Sequence, residues 1–218
     1  RGLGDVYKRQ ADNIAIGKST MEANTTGTRN LAIGFEAYVG SDTENDNLAI
    51  GYQAMTTNTA GGTENTAIGN YSMDTLTSGD QNTAVCMNAM GAITTGNQNT
   101  AVGRASLLVN TSGTGNTAVG RNALNQNSTG GYNTGIGGSA LDANTTGATN
   151  VAVGFESLVG NTTGTDNVAI GVDALKANTT ASNNTAVGRS ALKVNTTGTE
   201  NVAVGFSALL DVTTGGYL

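Results

Sequence analysis

Asparagine marks this chain like a ruler. Asn13, Asn30, Asn47, Asn65, Asn82, Asn99, Asn116, Asn133, Asn150, Asn167, Asn184 and Asn201 are 17 residues apart, except for one interval of 18 between Asn47 and Asn65. The extra residue falls at Gly61-Gly62, a turn that can absorb it. Twelve units therefore follow one another without spacers. A fixed short period is the signature of a repeat architecture, in which each unit is completed by stacking on its neighbours.

Positions within the unit are counted from the Asn. Position 3 is Ala in eleven copies and Gly135 in the other, and position 4 is always Ile or Val. Position 5 is Gly except for Cys86, position 8 is Ala, Ser or Thr, and position 9 is Leu or Met except for Tyr38. Positions 12 to 15 read Asn-Thr-Thr-Gly in the clearest copies, as at Asn161-Thr162-Thr163-Gly164. Seventeen residues are too few for a helix–turn–helix unit, and Gly near positions 5 and 15 would break a long helix. The segments between are short and rich in β-branched residues and Ala. The expected fold class is all-β, a parallel β-solenoid (β-roll) of twelve 17-residue coils.

Side chains alternate faces along a strand, so positions 2 and 4 share one face and position 3 takes the other. The strictly aliphatic position 4 is expected to point inward with the Leu/Met of position 9, burying Val119, Leu124, Val153, Leu158, Ile170 and Leu175. The Ala rank is then expected to face outward. A small residue kept there predicts close approach by another chain, with Ala32, Ala84, Ala101, Ala118, Ala152, Ala169, Ala186 and Ala203 as the interface. The variable positions 6, 7, 10 and 11, where Arg121, Phe155, Arg189 and Phe206 stand out, are candidate ligand contacts as readily as ordinary surface variation.

Composition narrows the function classes. With no His and one Cys, the chain lacks the commonest general base, any disulfide within the chain and any Cys-rich metal site. Ser and Thr scattered on turns form no nucleophile–base pair, so no catalytic residue, cofactor or metal ligand is expected and the chain is read as a non-enzyme. A net charge of −6 argues against nucleic acid as a partner, and no apolar run is long enough for membrane insertion.

Stacked coils turn each position into a ladder. The Asn rank at position 1 is expected to be a structural ladder of side-chain amides. Asn24, Asn110, Asn127, Asn144, Asn161, Asn178 and Asn195 match the N-glycosylation pattern, but the same residues suit a tight turn. The adjacent Thr pairs at positions 13 and 14 look like a corner more than a plane for ordering water. Cys86 reads as drift at a turn Gly, and Asp42, Glu44, Asp46 and Glu64 read as a solvated acidic turn.

The core Asn150-Val151-Ala152-Val153-Gly154 resembles the repeat of trimeric autotransporter adhesin heads, the YadA-like head, and the whole unit is similar to repeat arrays of bacterial and phage tail-fibre-domain proteins. The adhesin-head unit is about three residues shorter. The resemblance implies a left-handed roll in a homotrimer. Three functions follow: an extended shaft or head of a surface adhesin or tail fibre that binds a cell surface or matrix; a subunit of an extracellular filament of end-to-end solenoids; or an ice-binding solenoid. All are extracellular, at a cell or virion surface, with the chain itself as first partner. Residues 1–12 are read as a lead-in, because Asp5-Val6-Tyr7-Lys8-Arg9-Gln10 resembles the translated transposon end of a sequencing library. Residues 13–218 are then the repeat domain, a fragment of a longer protein.

Overall fold

The structure, a computed structural model, describes residues 12–58 and 61–216. The lead-in assigned to residues 1–12 lies outside the described residues but for Asp12. Two units divide the chain, Arg1–Ser112 and Gly113–Leu218. The first holds β1 (Ile14–Ile16), β2 (Leu31–Ile33), β3 (Leu48–Ile50), β4 (Thr66–Ile68), β5 (Thr83–Val85) and β6 (Thr100–Val102). The second holds β7 (Thr117–Val119), β8 (Thr134–Ile136), β9 (Val151–Val153), β10 (Val168–Ile170), β11 (Thr185–Val187) and β12 (Val202–Val204).

Within each unit consecutive strands pair in parallel, and like positions face like: Ala15 with Ala32 in the first, Ala152 with Ala169 in the second. No helix occurs among the described residues, and the fold is an all-β solenoid. The 18-residue coil keeps this register, with Leu48 opposite Thr66 and Ile50 opposite Ile68. The insertion is confined to the turn before Gly62, whose carbonyl accepts from Asn47 Nδ2 as the Gly79 carbonyl accepts from Asn65. Gly61 takes a φ of 101° there, which glycine adopts without a steric penalty.

Each strand is only three residues long because position 5 turns the chain. The position-5 glycines have φ between 129° and 142°. Their Cα atoms also lie close to the next coil: a Cβ on Gly137 would stand 2.4 Å from the Gly154 carbonyl oxygen. The following turn uses left-handed backbone at ordinary residues. In one coil Glu156, Leu158 and Asp166, at positions 7, 9 and 17, have φ of 53°, 52° and 58°. Backbone N–H groups then bond from coil to coil: Leu158 donates to the Ala174 carbonyl of the next coil, and Glu156 to Gly138 of the preceding one.

The interior differs from the expected one at the strands. Ala32, Ala84, Ala101, Ala118, Ala152, Ala169, Ala186 and Ala203 are all buried. The Ala rank points into the solenoid and cannot be an interface between chains. Val119 and Val153 are only half-buried and Ile170 is exposed, so the position-4 rank points outward. Gly135 shows the reason. A Cβ built there would lie 3.3 Å from Leu124 Cγ and 3.2 Å from the Ala140 carbonyl oxygen. The solenoid is thin at this wall, with room for one methyl group against the position-9 side chain and none for a larger residue. Leu124, Leu158 and Leu175 are fully buried, as expected.

Candidate functional site

Interior hydrogen bonding decides which ranks are free to meet a partner. In the position-1 ladder, Asn133 Oδ1 accepts from the Asn150 backbone N–H at 3.0 Å and from Asn150 Nδ2 at 3.1 Å. Asn150 Nδ2 also donates to the Gly164 carbonyl at 2.8 Å. The arrangement repeats through Asn167, Asn184 and Asn201, and in the first unit through Asn65, Asn82 and Asn99. These buried amides hold the coils at constant phase and have no capacity left for a ligand.

A second ladder was not anticipated. Asn127, Asn144, Asn161, Asn178 and Asn195, at position 12, are fully buried. Asn161 Nδ2 donates to Asn144 Oδ1 at 2.8 Å and to the Gly164 carbonyl at 3.0 Å, and Asn178 repeats the pattern on Asn161. The residues read as turn formers or glycan acceptors are core. Their amide nitrogens are inaccessible to a glycosyl donor in the folded chain. The constant phase of position 12 was the available signal. The Thr that follows closes the corner, as Thr145 and Thr162 donate their hydroxyls to the next coil's carbonyl.

One coil carries a buried acid. Glu44 replaces the position-15 glycine and is 2% exposed, so it is not part of a solvated acidic turn. Its Oε2 accepts from the Ser41 hydroxyl at 2.7 Å and from the Asp42 and Thr43 N–H groups, and its Oε1 from the N–H of the inserted Gly61 at 3.0 Å. Burial pushes the Glu44 carboxyl up, yet these donors together hold it below its ordinary value. Beside it the fully buried Tyr38 hydroxyl accepts from Asn47 Nδ2 at 2.6 Å. Burial drives that phenol up to about 12. The insertion thus sits where the chain supplies one more N–H to a buried carboxylate.

What remains outside is the strand face. Positions 2 and 4 project from it, and position 4 is Ile or Val throughout. In the second unit the face presents Val151 beside Val153 and Val168 beside Ile170, bordered by Phe155 and Val172 of position 6. In the first unit position 6 forms a stack, with Lys18 over the Phe35 ring and Phe35 stacked on Tyr52 at 5.3 Å, and Tyr71 of position 7 meets Tyr52 edge-on. No Asp or Glu occupies positions 2, 4 or 6 in any copy. Elsewhere opposite charges pair, with Arg29 on Asp46 and Lys176 and Lys193 on Asp173. Hydrogen bonds from Lys193, with Lys176 adding to them, hold the Asp173 carboxyl below its ordinary value.

Among the described residues no group of three His, Cys, Asp or Glu side chains could hold a metal ion. Cys86 is exposed, at a φ of 109° in the position-5 turn. No protein-family model, curated protein or solved structure matches the chain.

Proposed function

We propose that the chain is the repeat region of an extracellular structural or adhesive protein, a shaft or head of a surface adhesin or tail fibre, and that it works as a homotrimer joined through the strand face. The observation that carries this reading is the position-4 rank, in which every copy turns an Ile or Val outward. Covering such a face releases about 25 cal/mol per Å² of apolar surface. An uncharged apolar sheet face repeated along a rigid solenoid is a surface for another chain. Extracellular location and the trimer are also what the resemblance to adhesin heads and tail fibres implies.

Sedimentation tests it. The wild-type chain is expected to associate, Val153→Glu with Ile170→Glu to yield folded monomers, and Ala152→Glu to unfold its coil. A wild-type monomer at all concentrations would overturn the reading.

A second reading has one observation behind it. Thr66, Thr83 and Thr100 stand beside Ile68, Val85 and Val102 on the outward face, an array of Thr and β-branched residues of the kind with which ice-binding solenoids order water. Thermal hysteresis lost on Thr83→Lys would establish it; its absence in the wild type would dismiss it.

A further inference from the structure

In the second unit the two edges of the strand face carry opposite charge, and both edges are open. Position 6 follows the strands and holds Arg121 and Arg189, both exposed and in no ion pair among the described residues. Position 17 precedes the strands and holds Asp166 and Glu200, both exposed. Asp166 accepts a hydrogen bond from Thr149, and among the described residues neither acid is paired with a cation. Between the edges the face has no charge at all.

Resting on the reading of this face as a self-association surface, we infer that copies of the chain meet across it with their stacks running parallel, so that the Arg189 edge of one copy lies on the Asp166 and Glu200 edge of the next. The argument is rotational. A symmetry axis along the stack brings the edge after the strands of one copy to the edge before the strands of its neighbour, so cation meets anion. A two-fold axis across the stack brings like edges together, Arg against Arg. Asp166 and Glu200 precede β10 and β12, so in a parallel register Arg189, which follows β11, falls between them in height, offset along the stack by one coil spacing of about 4.8 Å from each. The long Arg side chain can span an offset of one coil, and Arg forms bidentate pairs with carboxylates. Opposite charge at the rim fixes orientation and register more than it adds affinity.

Sedimentation equilibrium of the full chain with exchanged edges separates the arrangements. Arg189→Glu is expected to weaken association about tenfold, as is Asp166→Lys with Glu200→Lys. All three substitutions in one chain should restore it, because the two edges are then complementary again with reversed sign. Tighter association of Arg189→Glu alone would overturn the inference and the trimer with it, since relief of Arg–Arg repulsion is the result for a two-fold, antiparallel pair. Association of the wild type unaffected by any edge change would overturn the orientation and leave the self-association reading standing. A monomeric wild type would overturn both.

Discussion

The two units share a coil but fill its interior differently. In Gly113–Leu218 position 12 runs Asn127, Asn144, Asn161, Asn178, Asn195, and position 9 of the same coils is Leu throughout. In Arg1–Ser112 position 12 runs Asn24, Ser41, Asn58, Leu76, Ile93, Asn110, and position 9 holds four Met, a Tyr and, in the last coil, Leu107. The difference shows what a buried amide ladder demands. Each Asn gives a proton to one neighbour and takes one from the other, so an apolar residue within the run strands a carbonyl. Asn58 Oδ1 is such a group: it is buried without a partner where the next coil brings Leu76. Leu76 and Ile93 are adjacent rungs, so the apolar interruption has few boundaries with the polar ladder.

The largest expected effect comes from breaking the regular ladder. Asn161→Leu leaves Asn144 Oδ1 without the Asn161 amide and removes the acceptor of Asn178 Nδ2. Unpaired buried polar groups cost about 1–3 kcal/mol each, so the loss should be about 2–5 kcal/mol by urea unfolding. Leu76→Asn should cost far less, because its amide meets the waiting Asn58 Oδ1. Equal losses for the two substitutions would refute the ladder as the source of the difference.

Alkaline pH should separate the units next. Tyr38 is the only buried phenol among the described residues. An unfolded chain releases its proton from pH 10.0, whereas the folded state holds it to about 12. The folded state is therefore unaffected below pH 10 and loses about 2–3 kcal/mol as pH climbs through that interval. Tyr38→Met, which installs the residue of the adjoining coils, should flatten the decline between pH 10 and 12 when unfolding is followed by circular dichroism.

Smaller again is the effect of the turn at position 5. Cys86 adopts a φ of 109° where every other copy has Gly. Holding a side chain there costs about 1–3 kcal/mol. Cys86→Gly should raise stability by about 1–2 kcal/mol, and Gly171→Cys in the second unit should cost at least as much, because a Cβ there would stand 2.6 Å from the Gly188 carbonyl group. If Cys86→Gly brought no gain in thermal unfolding, the strain would be absent.

The period, the one-strand-per-Asn count and the burial of position 9 were legible because 17-residue spacing leaves little freedom in how coils stack. The inward face of the strand was not. Alternation says that Ala152 and Val153 point opposite ways, and burial scales favour Val as the inner one. The wall's thinness, set by Leu124 and its equivalents on the far side, reverses the choice, and no local pattern reports a wall thickness. The position-12 ladder was hidden for another reason. Asn followed by Thr-Thr-Gly is also what a tight turn and a glycan acceptor require, so the local chemistry had an answer that needed no core. Left-handed backbone at Leu158 and its counterparts carries no glycine to announce it; coil-to-coil hydrogen bonds impose it.

The smallest effect lies at Glu44, and it sharpens the comparison most locally. The second unit has no buried acid, so its coils have no equivalent of this titration. Four donors stabilise the Glu44 carboxylate, and the folded value lies below the ordinary 4.5. Its contribution is full above pH 4.5 and is lost as pH falls from there through the folded value. Protonation replaces an acceptor-only group with one that carries its own hydrogen, and the N–H groups of Asp42, Thr43 and Gly61 compete for fewer lone pairs. Protection of those three amides against hydrogen exchange, taken relative to the intrinsic rate at each pH, should therefore fall on acidification, ahead of that of the Thr162 and Thr163 amides in the second unit. In Glu44→Gln the same amides should be less protected at neutral pH, and their protection should no longer change below pH 4.5. Protection of Gly61 that did not change with acid in the wild type would mean that the inserted residue is held by the turn alone, and that the carboxylate beside it contributes nothing to the irregular coil.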